Sequence, residues 1–383
     1  MVTETYPPDV NGVAMTMERL VTGMLSRGHS IQLIRVKQDE RDRHRDAGRL
    51  EVLPQRGLPI PCYRVQRFGL PAARSLTQLW RAHPADVAYI ATEGPLGLSA
   101  LMVARRLGIP VVSGFHTNFH TYSSHYHLGV FQDVVMAYMR RFHNRTACTV
   151  APTPRLCDKL EDQGYETTRV LSRGVDTESY NPDRRNWELR EQWGVGPDDP
   201  VVLYVGRLAG EKNLDLAVEA FRAMQCAVPG ARFVLVGDGP MREEVESRHP
   251  EFIFCGMRTG ESLYERYASA DIFLFPSTTE TFGNVTLEAM ASGLAVLAYR
   301  YAAAEMHIRH GQNGLLAEFG DEDQFIACAV ELVQDNELIR RLGRNARRTA
   351  EGVSWDNICD DFERILRGVM VNHTETLHEP VTA

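Results

Sequence analysis

Two basic side chains lie in a loop of the kind that follows a buried strand. Arg207 follows the apolar run VVLYVG, and Lys212 comes five residues later in GRLAGEKN. Open α/β sheets bind ligands at the carboxyl ends of their parallel strands. Two cations there would offset the charge that builds on a leaving phosphate, and such electrostatic stabilisation often contributes most to catalysis. The alternative is an ordinary basic loop.

The segment STTETFGNVTLEAM supplies acidic residues and a helix start. Glu280 follows the apolar run DIFLFP, and Gly283 and Asn284 open a predicted helix. The start of a helix presents free N–H groups and a partial positive charge, which suits a diphosphate. Glu288 lies eight positions after Glu280, so the two carboxylates can accept hydroxyl donors at opposite ends of one extended ligand, one on the sugar and one on the ribose. The alternative for Glu288 is stabilisation of its own helix dipole.

Two further candidates lie in the first half of the chain. Asn11 and Gly12 end the loop YPPDVNG and allow a tight turn before a helix near Val13, either to approach a phosphate or simply to enter the helix. His116 follows the strand PVVSGF and is a candidate contact for a sugar, with a structural histidine as the alternative. A histidine metal cluster is a weaker hypothesis, because no ligand set is defined by the spacing of His120, His125 and His127.

Other motifs favour the absence of a metal or a dinucleotide. Asp321 and Asp323 have the DxD spacing that metal-dependent transferases use, but they follow Gly320 and open a helical pattern. Capping of that helix is the better interpretation. No GxxxxGK[ST] phosphate loop occurs, and VGDGP lacks the full dinucleotide fingerprint. We therefore expect no metal and no cofactor.

Buried parallel strands must position these loops, and the chain predicts them twice. Short apolar runs alternate with helical patterns, which indicates two open doubly wound sheets. The predicted strands are Ser30–Val36, Asp86–Ala91, Pro110–Phe115, Thr146–Ala151, Pro200–Val205, Arg232–Val236, Phe252–Cys255, Asp271–Pro276 and Ala295–Ala298. The predicted helices include Val13–Arg27, Gly97–Leu107, Leu214–Met224, Met241–Ser247 and Val285–Ala291. Only Met1–Thr5 is available for a first strand before the loop at Tyr6.

The predicted domain organisation has two α/β domains joined by a linker. Residues 1–175 form the first, acceptor-side domain, and residues 200–352 form a nucleotide-sugar-binding domain. The segment 176–199 is rich in Pro, Gly, Asp and Asn, as linkers often are. A helix over 353–371 is expected to pack back on the first domain, and the tail 372–383 is expected to be disordered.

Composition limits the partners and the compartment. Residues 1–175 carry 22 Lys and Arg against 15 Asp and Glu, a balance of +7, and residues 176–383 carry 20 against 35, a balance of −15. We expect no nucleic-acid binding, whereas the basic half could meet anionic lipid. No apolar stretch of about 18 residues and no signal peptide pattern occurs. The seven scattered cysteines predict buried thiols in a reducing cytoplasm.

One predicted helix, Leu128–Arg145, has an apolar stripe that ends in arginines. The stripe contains Phe131, Val134, Val135, Tyr138 and Phe142, and the basic end contains Arg140, Arg141 and Arg145. Such a helix either faces the core with a solvated basic edge or forms a peripheral membrane surface beside a lipid acceptor.

Taken together, these segments resemble the large retaining glycosyltransferase family (group 1, family four) that includes bacterial phosphatidylinositol mannosyltransferases, sucrose synthase and sulfoquinovosyl transferases. The resemblance runs from about Thr3 to about Leu366, and its most specific element is the E-x7-E motif from Glu280 to Glu288. GRLAGEKN, VGDGP, EAMASGLAV and HGQNGLL also match. The segments TETYPPDVNGVAMT and FHTNFHTYSSHY look like bacterial GDP-mannose-dependent α-mannosyltransferases that act on lipid acceptors.

The resemblance implies a GT-B fold, with two Rossmann-like doubly wound parallel-sheet domains facing a cleft, and catalysis without metal. The catalytic residues that it implies are His116, Arg207, Lys212 and Glu280. The donor-binding residues are Asn11, Gly12, Gly206, Arg207, Lys212, Phe282, Gly283, Asn284, Val285 and Glu288. The family's loop usually carries Gly-Gly where this chain has Asn11 and Gly12.

The predicted function is retaining transfer of a hexose, mannose from GDP-mannose, to a lipid or glycan acceptor. The predicted location is the cytoplasm, with peripheral contact at the inner face of the cytoplasmic membrane. The alternatives are a UDP-sugar donor of the glucosyl or sulfoquinovosyl type, an epimerase or phosphorylase on the same architecture, and a non-catalytic nucleotide-sugar-binding protein.

Overall fold

A computed structural model describes residues 1–9, 11–38, 42–60, 63–116 and 131–378. The chain divides into two compact units, each with its own sheet and its own apolar core. Unit 1 comprises Met1–Arg173 and Trp355–Ala383, and unit 2 comprises Gly174–Ser354.

Unit 1 carries the first ten strands and six of the helices among the described residues. Its strands are β1 (Val2–Thr3), β2 (Ile31–Val36), β3 (Arg45–Ala47), β4 (Leu50–Gln55), β5 (Gly57–Ile60), β6 (Tyr63–Gly69), β7 (Ala88–Ile90), β8 (Val111–Gly114), β9 (Cys148–Ala151) and β10 (Thr168–Val170). Its helices are α1 (Gly12–Ser26), α2 (Ala73–Ala82), α3 (Pro95–Arg106), α4 (Phe131–His143), α5 (Pro154–Asp162) and, after unit 2, α14 (Trp355–His378).

The main sheet of unit 1 is doubly wound. Its strand order is β10-β9-β8-β7-β1-β2-β4-β3, and every neighbouring pair is parallel except β3 with β4. The chain builds the sheet outward from β1 in one direction and then resumes on its other side with β7. The switch point, where such sheets bind ligands, therefore lies between β1 and β7. Strands β5 and β6 form a separate antiparallel pair.

Unit 2 carries six strands and the remaining helices of the described residues. Its strands are β11 (Val201–Val205), β12 (Arg232–Val236), β13 (Ile253–Gly256), β14 (Ile272–Phe275), β15 (Ala295–Tyr299) and β16 (Leu315–Ala317). Its helices are α6 (Trp187–Gln192), α7 (Leu214–Ala227), α8 (Arg242–Arg248), α9 (Glu261–Ser269), α10 (Asn284–Ala291), α11 (Ala302–His307), α12 (Glu322–Val333) and α13 (Asn336–Glu351).

The sheet of unit 2 is entirely parallel, in the order β13-β12-β11-β14-β15-β16. This is the Rossmann order, with its switch point between β11 and β14. Every residue of these two central strands is buried, because helices cover both faces of such a sheet. The predicted fold class of doubly wound α/β units is therefore confirmed.

Four strands between residues 45 and 69 were absent from the sequence prediction. In β3 every residue is exposed, so no apolar pattern identifies it. Pro54 lies within β4 and Pro59 within β5, and proline argues against a strand in a pattern-based prediction. The pairing of β4 with β2 in the tertiary fold overrides that local signal.

The predicted linker, 176–199, folds as part of unit 2. It contains a short 3₁₀ turn, Pro182–Arg184, and helix α6. Leu189, Trp193 and Val195 are buried in the core of this unit. The polar and proline-rich composition suggested a linker, but these apolar side chains attach the segment to the sheet.

The C-terminal helix α14 belongs to unit 1 and packs against α1. Phe362 is fully buried, and Arg27, the residue that follows α1, bonds Asp360 at 2.6 Å. The predicted disordered tail is wrong for 372–378, because the helix continues to His378. That stretch contains no glycine or proline, and Pro380 is the first residue that opposes a helix. Residues 379–383 lie outside the described residues.

Two smaller predictions concern membrane spans and cysteines. None of the helices in the described part of the chain is both long enough and apolar enough to span a bilayer. The prediction that all cysteines are buried is wrong for Cys226, which is exposed near the end of α7, and for Cys255, which is half-buried in β13. Cys62 lies outside the described residues.

Candidate functional site

A buried tyrosine of β11 hydrogen-bonds to the loop that follows this strand. The hydroxyl of Tyr204 donates to the carbonyl of Arg207 at 3.1 Å. Gly206 donates its N–H to Val236 of the neighbouring strand at 3.0 Å, and a Cβ on Gly206 would lie 3.3 Å from the Tyr204 hydroxyl. A side chain at the predicted donor residue Gly206 would therefore require a small shift of the Tyr204 hydroxyl.

The two predicted cations lie at the carboxyl end of β11, and each contacts a carboxylate. The Arg207 guanidinium lies 3.0 Å from Glu211, and Lys212 Nζ lies 2.5 Å from Oε1 of Glu280. The Lys212 and Glu280 side chains are only 16% and 15% exposed, so solvent screens this pair less than it screens a surface pair. The structure therefore joins two predicted site residues that are 68 positions apart in sequence.

Glu280 is positioned by several neighbours in the loop after β14. The hydroxyl of Ser277 donates to Oε1 of Glu280 at 2.7 Å, and Tyr301 donates to the Glu280 carbonyl at 2.7 Å. Thr279 donates to the carbonyl of Glu211 at 2.9 Å, which ties this loop to the loop after β11. The two loops of the unit 2 switch point thus form one hydrogen-bonded cluster, as the strand order requires.

Helix α10 begins beside this cluster at a glycine. Gly283 is its N-cap residue, in a left-handed conformation with φ +84° and ψ 64°, and it has no side chain that could cap the helix. A Cβ at Gly283 would lie 3.3 Å from Cγ of Glu280, so the helix start is adjacent to the acidic side chain. The N–H groups of the first turn, which includes Asn284 and Val285, carry the partial positive charge of the helix.

Phe282 and Val285 pack against the core of unit 2 at the start of α10. The side chain of Phe282 is 1% exposed, and its carbonyl accepts from Ala303 at 2.8 Å. Val285 is partly buried against the same core. These apolar side chains anchor the helix start, and the contact of both residues with a donor stays a prediction.

Glu288 is a buried carboxylate with tyrosine partners. It is 9% exposed, and the Tyr267 hydroxyl donates to its Oε2 at 2.9 Å. Burial raises the pKa of Glu288 to about 7, although hydrogen bonds from Tyr267 and Tyr180 favour the ionised form. The alternative of dipole stabilisation is wrong, because Glu288 is the fifth residue of α10 and lies beyond its first turn.

The side chain of Asn11, in the loop before α1, bonds to groups of the protein itself. Asn11 is the N-cap of α1, and its Oδ1 accepts from Val13 at 3.1 Å and from Ala14 at 2.9 Å. Its Nδ2 donates to Oγ1 of Thr5 at 2.7 Å. Asn11 therefore caps α1, as the helix-entry alternative predicts. Their contact with a donor phosphate stays a prediction.

His116 lies two residues beyond β8 and is buried in unit 1. Its Nε2 lies 2.7 Å from the hydroxyl of Tyr89. Burial, reinforced by the positive charges of Arg173 and His143, lowers the pKa of His116 to about 3. The imidazole is therefore neutral at physiological pH, and its contact with a sugar stays a prediction.

The metal hypotheses find little support among the described residues. His120, His125 and His127 lie outside them, and within them no group of three potential ligands is found. Asp321 accepts from the Gln324 N–H at 2.9 Å and caps α12, as predicted. The absence of a metal requirement stays a prediction.

Helix α4 has a buried side and an exposed side, and whether the exposed side meets a membrane stays a prediction. Met139 and Phe142 are buried, which confirms a core-facing side. The prediction that the whole stripe faces the core is wrong for Val134, which is 65% exposed, and for Val135. The arginines at its end are exposed, namely Arg140, Arg141 and Arg145. The side chain of Phe131 is not among those that the structure describes.

Several residues of the site escaped the sequence analysis. Tyr180 and Tyr267 contact Glu288 but lie far from it in sequence, so no local motif points to them. Ser277 lies three residues before Glu280 in the same loop and could have been found by testing hydroxyls near each carboxylate. Tyr89 lies in a buried apolar strand, so the sequence pattern identifies it as a core residue and gives no sign that its hydroxyl has a partner.

Comparisons with known proteins agree with this architecture. Residues 10–179 match the model described as Glycosyltransferase Family 4, and residues 199–335 match Glycosyl transferases group 1. A GDP-mannose-dependent alpha-mannosyltransferase of Mycobacterium tuberculosis is 34% identical over 369 residues, which cover 94% of each chain. The sulfoquinovosyl transferase SQD2 of Arabidopsis thaliana is 31% identical over 79% of this chain and 61% of its own.

Among solved structures, the sucrose-phosphate synthase of Thermosynechococcus elongatus has a TM-score of 0.76 at 17% identity, covering 97% of this chain and 98% of its own. Two doubly wound units with such a switch-point cluster define a glycosyltransferase of the GT-B class, which takes its sugar from a nucleotide-sugar donor. The chain belongs to the glycosyltransferase group 1, family 4 family.

Proposed function

We propose that this protein transfers mannose from GDP-mannose to a lipid or glycan acceptor, with retention at the anomeric carbon and without a metal. The observation that carries the proposal is the cluster of Lys212 and Glu280 beside the start of α10 at Gly283. The donor assignment is supported by the relatives, three of which are named GDP-mannose-dependent alpha-mannosyltransferases.

The donor diphosphate is proposed to bind Arg207, Lys212 and the first N–H groups of α10. Glu211 and Glu280 contact these cations in the structure. A diphosphate carries more charge than one carboxylate and accepts several donors at once, so it competes effectively for both cations. As the bond from the sugar to the diphosphate breaks, the same groups stabilise the leaving charge.

The two glutamates are proposed to hold hydroxyl groups of the donor. Oε1 of Glu280 accepts from Lys212 and Ser277, and a carboxylate has about four acceptor sites, so capacity remains for sugar hydroxyls. Glu288 accepts from Tyr267 through Oε2 and is proposed to bind the ribose. Its tyrosine partners fix the carboxylate in place, which lowers the entropy lost on binding.

Retention follows if the acceptor approaches on the face that the diphosphate leaves. In the proposed step, the acceptor oxygen bonds to the anomeric carbon, the bond to the diphosphate breaks, and the acceptor proton passes to the departing phosphate. This step requires no metal and no protein base. His116 is proposed to orient the transferred sugar, and its depressed pKa is consistent with a neutral hydrogen-bonding role.

A lipid acceptor is supported by the surface of α4. Val134 and Val135 are exposed on this helix, and Arg140 and Arg141 are exposed near its end. Exposed apolar side chains beside cations suit an anionic membrane surface, where each cation contributes about 1 kcal/mol. We propose peripheral contact at the inner face of the cytoplasmic membrane, tested by flotation with anionic liposomes. Binding that is indifferent to anionic lipid and salt would remove this part of the proposal.

The donor is tested by thermal shift with GDP-mannose, UDP-glucose, UDP-GlcNAc and ADP-glucose. We expect GDP-mannose to raise the Tm most, because a ligand that binds only the folded state stabilises it more strongly the higher its affinity. The same panel on Lys212→Met is the control, and it should show a much smaller shift. No shift with any donor would contradict nucleotide-sugar binding.

The second candidate is transfer from a UDP-sugar, supported by the similarity to a sulfoquinovosyl transferase. The largest shift with UDP-glucose would favour it. Activity that disappears with EDTA and returns with Mn²⁺ would contradict the metal-independent mechanism for either donor.

A further inference from the structure

Tyr89 and His116 form a buried hydrogen-bonded pair in unit 1. Tyr89 is 1% exposed, and its hydroxyl lies 2.7 Å from Nε2 of His116. Phe362 of α14 packs edge-on against the Tyr89 ring, with centroids 4.9 Å apart. The phenol is therefore fixed in position by packing, and its hydroxyl is directed at one nitrogen of the imidazole.

Gly114, the last residue of β8, makes this pair possible. A Cβ at Gly114 would clash with both Nε2 of His116 and the hydroxyl of Tyr89. Any other residue would push the two side chains apart. The backbone at this position is thus matched to the hydrogen bond, which indicates that the pair is a specific feature of the fold.

The direction of the hydrogen bond follows from the partners of each atom. A buried phenol O–H is stabilised by donating to an acceptor, and His116 Nε2 is the only hydrogen-bond partner of Tyr89 among the described residues. If Nε2 carried the ring proton, the phenol proton would lack an acceptor. Donation from Tyr89 to Nε2 therefore leaves the fewest groups unsatisfied, and it places the ring proton of a neutral imidazole on Nδ1.

Nδ1 of His116 is buried and finds no hydrogen-bond partner in the described part of the chain. The other buried histidine of this region, His143, differs in this respect. Its Nδ1 lies 2.9 Å from Ser113 and its Nε2 lies 3.1 Å from Glu93, so both nitrogens are bonded. Both nitrogens of His143 are therefore satisfied, whereas Nδ1 of His116 has no partner among the described residues.

We propose that Tyr89 is a positioning residue that holds His116 in the Nδ1–H tautomer, so that His116 acts as a neutral hydrogen-bond donor to an oxygen of the transferred sugar. The sugar contact rests on the proposed function, whereas the tautomer does not. The charged and titratable groups that face the pair are Arg173, His143 and Glu93. Because Nε2 is covered by Tyr89, His116 does not accept the acceptor's proton.

The tautomer is tested by ¹⁵N imidazole NMR on the full chain labelled at histidine, with His116→Asn to assign the signals. We expect a protonated Nδ1 and an unprotonated Nε2, unchanged from about pH 5 to about pH 8, the range in which a free histidine titrates. In Tyr89→Phe the ring should lose this preference and show protonated Nε2. A wild-type His116 that is protonated on Nε2, or a tautomer that Tyr89→Phe leaves unchanged, would overturn the proposal.

The matched control is Tyr165→Phe, which removes another buried hydroxyl of unit 1 that has no hydrogen-bond partner among the described residues. It should leave the His116 signals unchanged. A change in Tyr165→Phe as large as that in Tyr89→Phe would assign the effect to general packing and overturn the specific role of Tyr89.

Transfer kinetics test the second half of the proposal. We expect Tyr89→Phe to lower kcat/KM about tenfold in the native background and not to lower it further in His116→Asn, because the phenol acts through the histidine. Additive losses would contradict that coupling. If the protein shows no transfer with any donor, the NMR result still stands or fails on its own, so failure of the proposed function is distinguishable from failure of this inference.

Discussion

Two of the helices that border the switch points, one in each unit, begin in different ways. Helix α1 of unit 1 is capped by Asn11, whose side chain accepts two of the first N–H groups. Helix α10 of unit 2 begins at Gly283, which has no side chain to cap it. One helix start thus uses the side chain of its own N-cap residue as an acceptor, and the other has no such acceptor at its N-cap.

The acidic residues of the two switch points show the same contrast. In unit 1, Glu4 accepts from the N–H of Leu96 in the first turn of α3 at 3.1 Å, and burial raises its pKa to about 7. In unit 2, Glu280 contacts the ammonium of Lys212 instead. Unit 1 uses its carboxylate to satisfy its own backbone, whereas unit 2 pairs its carboxylate with a cation. Anion binding is therefore expected in unit 2, although its half of the chain has the more negative net charge.

Removal of the unit 2 cation should affect catalysis most. Lys212→Met should lower kcat about 100-fold or more, because it removes a charge that stabilises the leaving diphosphate. The measurement is initial rate with saturating donor and acceptor. Lys159→Met, at an exposed position of α5 in unit 1, is the matched control and should retain full activity. Near-native rates in Lys212→Met would contradict the assignment of anion binding to unit 2.

A side chain at Gly283, where α10 begins, should have the next strongest effect. Gly283→Ala places a Cβ at φ +84°, which costs about 1–2 kcal/mol in the left-handed region, and it should raise the donor KM about tenfold. Gly352→Ala is the control, since Gly352 has φ −80° and tolerates a side chain. An unchanged donor KM in Gly283→Ala would show that ligand and helix start are not in contact.

The pKa of Glu288 predicts a smaller effect of pH. Because its pKa is raised from the ordinary 4.5 to about 7, the folded protein keeps a proton that the unfolded chain has lost. The free energy of unfolding therefore falls as pH rises from about 4.5 to about 7. The affinity for the donor should increase over the same pH range, by about threefold per pH unit near pH 7, because the ionised carboxylate is the better acceptor.

Calorimetric titration of the donor at several pH values measures the effect of Glu288 ionisation. Glu288→Gln should bind donor weakly and with little dependence on pH in this range. A wild-type affinity that declines as pH rises through about 7 would contradict the ribose assignment.

The weakest effect on catalysis is expected at the capped helix. Asn11→Ala should lower the free energy of unfolding by about 1 kcal/mol, the usual contribution of an N-cap, and leave the donor KM unchanged. Asn11→Ser, which keeps a capping oxygen, should recover most of the stability. Chemical denaturation and donor kinetics on the same samples check both. A raised donor KM in Asn11→Ala would assign Asn11 to donor binding. Both helix starts would then contact the donor, contrary to the proposed difference.

The fold class and most of the unit 2 site could be predicted from the amino-acid sequence alone. Buried runs such as VVLYV and IFLF are unambiguous because both faces of a parallel sheet are covered. The loops that follow these strands had to lie at one edge of the sheet, so Lys212 and Glu280 could be predicted together without any contact information.

Which polar groups are already satisfied could be learned only from the packed chain. Asn11 and Gly283 both precede helices, and the sequence assigned donor binding to both. The Asn11 side chain accepts from the backbone of its own helix, whereas Gly283 has no side chain. The tyrosines around Glu288 and His116 come from distant segments, and their hydroxyls are invisible in apolar patterns. Burial shifts the pKa values of Glu288 and His116. Desolvation depends on every segment that surrounds a group, so no single stretch of sequence determines these pKa values.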